Sequence, residues 1–286
     1  MFGISRIKKN KTDRSSNGLA FIKGAIIGGT MLVPGVSGGS MAMILGIYDR
    51  LITAVSSFLK DIKRNVIFLL LFVFGAGFGM LALSHPISYL MEHYTKPFMY
   101  FFLGAVAGSV PFVYRHARVE DKTWKSRFKQ LMCLILGMTV VLIFAFIPED
   151  TFITNNMSMG GDITVQLLAG VIAAVALVLP GISVSYMLVL MGIYDSTVDA
   201  ISKLDILYLM PMALGLFLGI VLITKLLENA MKKHPEPTYL IILGFMIGSI
   251  AQVFPGLPQG ITEWLLCANL AVGGFGAILG ISSVEV

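Results

Sequence analysis

Charge is what this sequence has least of. Only 13% of its 286 residues are Asp, Glu, Lys or Arg, against about 25% in an average soluble domain, which excludes a water-soluble globule. With 56% hydrophobic residues, the chain reads as an all-α integral membrane protein. Cysteine is scarce as well. Cys133 and Cys267 stand far apart, each inside an apolar segment, so buried thiols are expected in place of a disulfide framework or a thiolate metal site. Also missing are a P-loop, closely spaced metal ligands and the short His/Arg/Asp arrangements of lipid phosphatases. ATP-driven and hydrolytic chemistry are therefore not suggested; no cofactor or metal is expected, and the chain reads as a non-enzyme. The net charge of +5 is no nucleic-acid signal, because the basic residues sit in short clusters between apolar segments.

What is abundant is apolar sequence in long runs. Arg6 to Arg14 precede the first run and imitate a signal peptide, but the run holds Lys23 and continues without a small-residue cleavage site, so it reads as retained. Residues 1–18 are expected to be a basic cytoplasmic tail and 19–286 one polytopic membrane domain. Apolar segments fall at about 19–33, 38–58, 66–84, 97–114, 130–147, 163–179, 182–201, 206–224, 238–254 and 262–281. The first pair, and likewise 163–201, suits a re-entrant hairpin better than two full crossings, because 19–33 falls short of the roughly 20 residues a span needs. The other six read as full spans. With the N-terminus inside, all but three of the 21 basic residues fall on the cytoplasmic side: only Lys96 and Lys203 lie outside, and Arg50 ends the first hairpin. The positive-inside rule then places both termini in the cytoplasm.

Two stretches are near copies. VPGVSGGSMAMILGIYDRLITAVS (33–56) and LPGISVSYMLVLMGIYDSTVDAIS (179–202) share ten of 24 positions without a gap, against roughly two or three expected by chance. Gly75 and Gly79 match Gly215 and Gly219, and Pro97, Gly104, Gly108 and Ser109 match Pro237, Gly244, Gly248 and Ser249. Each half is thus a broken-helix hairpin plus two transmembrane helices: repeat one 19–116 and repeat two 163–256, joined by an unpaired linking span 128–147 and followed by a final span 262–281. One odd span between the halves inverts the second, giving the inverted-topology repeat of alternating-access transporters, whose sites lie at Gly/Pro-interrupted helices.

A helix broken at Pro-Gly leaves backbone N–H groups that are costly in hydrocarbon unless they line a cavity. At the first tip Pro34 and Gly35 precede Ser37, Gly38, Gly39 and Ser40; at the second, Pro180 and Gly181 precede Ser183 and Ser185. Free amides, hydroxyls and small side chains there suit an anionic head group such as a phosphate. The bland alternative is that these small residues only let helices pack closely; their duplication favours the binding site. The repeated Gly-Ile-Tyr-Asp is tempting as a proton relay. On a continuous helix, however, Asp49 lies twelve residues past Ser37, roughly 18 Å, which puts it near an interface rather than at the midplane. Lys23, Asp49, Arg50, Arg115, Arg118 and Asp195 are accessory candidates, the two carboxylates for coupling and Arg115 and Arg118, with His116, for an anionic lipid head group. His85, Glu92 and His93 fall in an outer loop, 85–96, and read as solvated.

PGVSGG followed by GIYDRLI, with a second PGIS-x-S followed by GIYD, resembles the bacterial polyprenyl-phosphate transporter family over nearly the whole chain from about residue 19. The resemblance implies a plasma-membrane flippase that returns undecaprenyl phosphate, the carrier lipid of cell-wall polymer synthesis, from the outer to the inner leaflet. By motif, the implied phosphate-binding positions are Pro34, Gly35, Ser37, Gly38, Gly39, Ser40, Pro180, Gly181, Ser183 and Ser185. The partners implied are the polyprenyl-phosphate lipid and the bilayer. Where the family often carries Asp and Gly, this chain has Met31 and Val184. The rival function is a secondary transporter of a small soluble anion. It would need the same tips but a route closed to lipid, whereas a flippase needs a lateral opening that reaches Ser37 and Ser183.

Overall fold

The computed structural model describes residues 18–117, 119, 123–147 and 163–284. The basic tail, Arg118, Lys122 and the outer loop 148–162 lie outside the described residues. Among the described residues six helices are long and apolar enough to cross a membrane, and they are the six full spans read from the sequence. These are α4 (Ile62–His93), α5 (Thr95–His116), α6 (Trp124–Phe146), α10 (Ile206–Lys233), α11 (Pro235–Gly248) continued by α12 (Ile250–Val253), and α13 (Gly260–Val284). The most apolar stretches of α5 and of α11–α12 are 56% buried, those of α6 and α10 only 11%. So α5 and α11 form the core, while the outer helices present side chains such as Phe74, Leu81, Phe217 and Leu222 outward, a surface suited to hydrocarbon and not to water.

The expected outer loop 85–96 is a correction: α4 runs on to His93 and carries Pro86 within it. Proline removes one helix hydrogen bond, a loss that membrane helices tolerate when neighbouring groups satisfy the backbone.

Helix pairs close on glycine. A Cβ on Gly24 would meet the Phe72 carbonyl oxygen at 2.4 Å, and one on Gly170 the Met212 oxygen at 2.1 Å. Gly75 and Gly79 face Phe21 and Ala25 of the helix Gly18–Thr30 (α1), as Gly215 and Gly219 face Leu167 and Val171 of Ile163–Val178 (α7). The same holds at the core, where Gly104 and Gly108 face Ala271 and Phe275 of α13, and Gly244 and Gly248 face Leu134 and Met138 of α6. Residues matched in the two halves therefore make matched contacts, and backbones approach as closely as small-residue packing allows.

Neither hairpin holds a continuous second helix. After the first tip come α2 (Gly38–Ile44) and α3 (Tyr48–Ser56); after the second come α8 (Val184–Leu190) and α9 (Tyr194–Lys203), bent 116° from α8. The stop is local and repeated. Gly46 and Gly192 adopt φ +64 and +69. Ile47 N–H donates to the Ala42 carbonyl and Gly46 N–H to that of Met43; Ile193 and Gly192 donate likewise to Leu188 and Val189. This pair of bonds, with an apolar residue after the left-handed glycine, is the Schellman stop. The Gly-Ile of Gly-Ile-Tyr-Asp is thus a helix terminator, and the 18 Å helical run to Asp49 does not exist. With α2 only seven residues long, it rises about 10 Å before the chain turns.

Candidate functional site at the hairpin tips

The two Pro-Gly-x-Ser tips come from opposite halves of the chain and meet. Gly181 N–H donates to the Ser37 hydroxyl oxygen at 3.0 Å, across 144 residues of sequence. The same oxygen caps α2 by accepting from Ser40 N–H at 3.1 Å, while the hydroxyl donates to Ser40 Oγ at 3.1 Å. Ser183 caps α8 in the matching way, accepting from Tyr186 N–H. Gly35 and Gly181 supply the tight turns at φ +79 and +84, a region closed to most side chains. Both tips rest on the α11–α12 backbone, Gly35 against Gln252 and Gly181 against Phe245.

Of the sequence-derived site residues, the structure brings Ser37, Gly39, Ser40, Pro180 and Gly181 together. A Cβ on Gly39 would lie 3.2 Å from Pro180 Cα, and one on Gly38 only 3.0 Å from the Met31 sulfur. In this conformation both glycines serve close packing. Met31 lies directly over the start of α2. Pro34 and Ser185 are exposed, Pro180 is fully buried, and Ser183 is half-buried. The cavity beside the first tip, lined by Ser37, Ser40, Phe102, Val106 and Ser249, holds only about 20 Å³, room for a single water. A phosphate does not fit there while the tips are clasped. With α2 and α8 at seven residues each, a helix dipole adds little, and the polar groups at the tips are the hydroxyls and turn amides.

A second cluster forms at the end of the bundle where the basic residues gather. Tyr239 O–H donates to Asp49 at 2.6 Å, and the Tyr239 ring packs on His116 with centroids 5.6 Å apart. Glu228 accepts from Ser56 at 2.5 Å and from Ser57 at 3.1 Å, and pairs with Lys232. Asp49, His116, Glu228, Lys232 and Tyr239 line a pocket of about 300 Å³, and the bonds tie α3 to α10 and α11. Deeper in, Tyr48 O–H donates at 2.8 Å to the carbonyl of Val178, the last residue of α7, where a broken helix would leave an orphan acceptor. The second copy of the motif differs: Tyr48 is 3% exposed but Tyr194 37%, and Asp195 lies open.

The other accessory residues are scattered. Arg50 sits 4.7 Å over the Phe68 ring, Lys23 is half-buried on α1, and Arg115 is exposed at the end of α5. Sequence reasoning passed over Tyr239, Glu228 and Ser249 as site residues. Only Ser249 carried a signal, its match to Ser109: both hydroxyls bond back to the carbonyl three residues earlier.

Comparison with known proteins decides the family. The family model described as undecaprenyl phosphate translocase-like matches residues 27–265. The chain belongs to the undecaprenyl phosphate translocase-like family. A polyprenyl-phosphate transporter of Staphylococcus aureus is 31% identical over 265 residues, covering 89% of this chain and 92% of that one. A polyprenyl-phosphate transporter of Vibrio cholerae is 28% identical over 249 residues, covering 82% and 77%. No solved structure matches the chain significantly. Transport by a multi-pass membrane protein is thus what the family does.

Proposed function

We propose that the protein is a flippase that moves undecaprenyl phosphate from the outer to the inner leaflet of the bacterial plasma membrane, where the carrier re-enters cell-wall polymer synthesis. The observation that carries this is the contact between Ser37 and Gly181: two copies of one helix-breaking motif, from two halves of the chain, meet inside an apolar bundle. The phosphate binds between them when they part, held by the Ser37 and Ser183 hydroxyls and the amides of the turns, while the polyprenyl chain stays in lipid.

The topology that fits is an inverted repeat of two re-entrant hairpins, one entering from each face, with both termini cytoplasmic. Because α13 packs on α5 as α6 packs on α11, we take the final span as the counterpart of the linking span, so each unit is a hairpin plus three spans. Three crossings per unit invert the second against the first. In this conformation Asp49 and the serines on Glu228 latch the first hairpin to α11 and α10, Tyr48 bonds it to the second hairpin, and Tyr186 bonds the second to the Ile147 carbonyl at the end of α6.

Purified protein in proteoliposomes is expected to move undecaprenyl phosphate between leaflets well above protein-free vesicles, and to take up no inorganic phosphate. Uptake of inorganic phosphate without lipid movement would instead establish the soluble-anion transporter. Imposed pH and sodium gradients, applied in the same vesicles, identify the driving ion.

A further inference from the structure

Beside the second tip lies a groove that the head-group chemistry does not use. Phe144 of α6, Leu168 and Ile172 of α7, Ile182 of the tip, and Met187 and Leu190 of α8 line about 440 Å³ of apolar space. Its rim faces outward, with Leu168 53% and Ile172 37% exposed, and its floor is inside, with Ile182 and Met187 at 5% and 6%. The rim lies on α7 and α6, and α6 is one of the outer, lipid-suited helices. The groove therefore leads laterally from hydrocarbon to Ile182, the residue between Gly181 and Ser183.

The first hairpin carries the same face but not the same space. Val36, Met41 and Ile44 occupy the positions of Ile182, Met187 and Leu190 in the ungapped alignment. Those three residues line the cavity of about 20 Å³ beside Ser37. One side-chain pattern is thus open in the second half and shut in the first. Packing differences of this kind between matched halves are what an alternating pair requires, since interfaces of packed helices switch between discrete arrangements.

We propose that the groove at Phe144, Leu168, Ile172, Ile182, Met187 and Leu190 binds the branched isoprenoid units next to the phosphate of a polyprenyl-phosphate lipid, and that the face around Val36, Met41 and Ile44 is its alternate, closed here. This rests on the flippase reading and locates its tail. An apolar channel that ends beside a hydroxyl and turn amides recognises a chain with a polar end, and methyl-branched chains fill irregular space lined by methionine and β-branched side chains.

The test uses the full-length protein in proteoliposomes and two photoreactive probes. One is a polyprenyl phosphate with its reactive group in the isoprene units beside the phosphate; the other is dioleoyl phosphatidic acid with the same group in an acyl chain. The polyprenyl probe is expected to label peptides containing Ile172 and Ile182, and unlabelled undecaprenyl phosphate should compete about tenfold better than phosphatidic acid. Ile172→Trp, at a partly exposed rim position that leaves folding intact, should cut labelling and transport by about tenfold, the scale of one misfit contact in an apolar pocket. Equal labelling by both probes, or normal transport and labelling in Ile172→Trp, overturns the groove while the flippase reading stands. If the unaltered protein moves no polyprenyl phosphate at all, both fall together.

Discussion

In proteoliposomes, Ser37→Leu is expected to carry no undecaprenyl phosphate above the background of empty vesicles, while the protein accumulates normally in the membrane. The Ser37 side chain hydrogen-bonds both within its own tip and to the other tip. Its oxygen accepts from Ser40 N–H and Gly181 N–H, so leucine removes a helix cap worth about 1 kcal/mol and orphans a second amide at a cost of about 1–3 kcal/mol. The branched side chain must also enter a cavity of about 20 Å³, which forces the tips apart in the wrong geometry. The spans themselves pack through glycine contacts elsewhere, which keeps the fold intact. Ser37→Thr keeps the hydroxyl and should retain measurable transport. Full activity in Ser37→Leu would remove the first tip from the mechanism.

The second large effect belongs to Gly181→Ala. Gly181 sits at φ +84, where an L side chain costs about 1–2 kcal/mol. A Cβ there also meets the Phe245 carbonyl oxygen at 2.4 Å, a backbone atom of a core helix that cannot swing aside. Gly256 separates the two causes, since it has the same φ sign at +85 but open space around its Cβ position. Gly256→Ala should lower stability by only about 1–2 kcal/mol and leave transport intact. Gly181→Ala should lower the melting midpoint in detergent further and abolish transport. Equal melting of the two variants would show that the second tip is not packed against α11 as described.

Periodicity and charge made much of this legible in advance. The six spans follow from runs of apolar residues long enough to cross a bilayer, and the pairing of Gly75 with Gly215 and of Gly104 with Gly244 was visible as repetition. The internal break at Gly46 was also written in the sequence, as a glycine followed by an apolar residue, but it was hidden because the mostly apolar stretches on either side, Met41 to Leu45 and Leu51 to Val55, read as one segment. The extension of α4 past Pro86 was hidden for the opposite reason: proline, His85 and His93 look like a loop, and only the packed helix shows that the lost hydrogen bond is tolerated. The contact of Ser37 with Gly181 could be guessed from duplication, but its closure could not. Whether two matched tips part or clasp depends on the packing of Met31, Pro180 and Phe245 around them, which no local pattern encodes. Tyr239 on Asp49 is a pairing of residues 190 apart that lies wholly in the tertiary structure.

The clasp is also where the account is most directly tested. A Cβ on Gly39 lies 3.3 Å from the Leu179 carbonyl carbon, so the two tips touch at these positions. In a Cys133→Ser, Cys267→Ala background, Gly39→Cys with Leu179→Cys should form a disulfide on oxidation. Locked tips cannot admit a phosphate, so undecaprenyl phosphate transport in proteoliposomes should fall to background when the pair is oxidised and return on reduction. Undiminished transport by fully cross-linked protein would contradict the account, because the lipid would then be crossing without the tips ever parting.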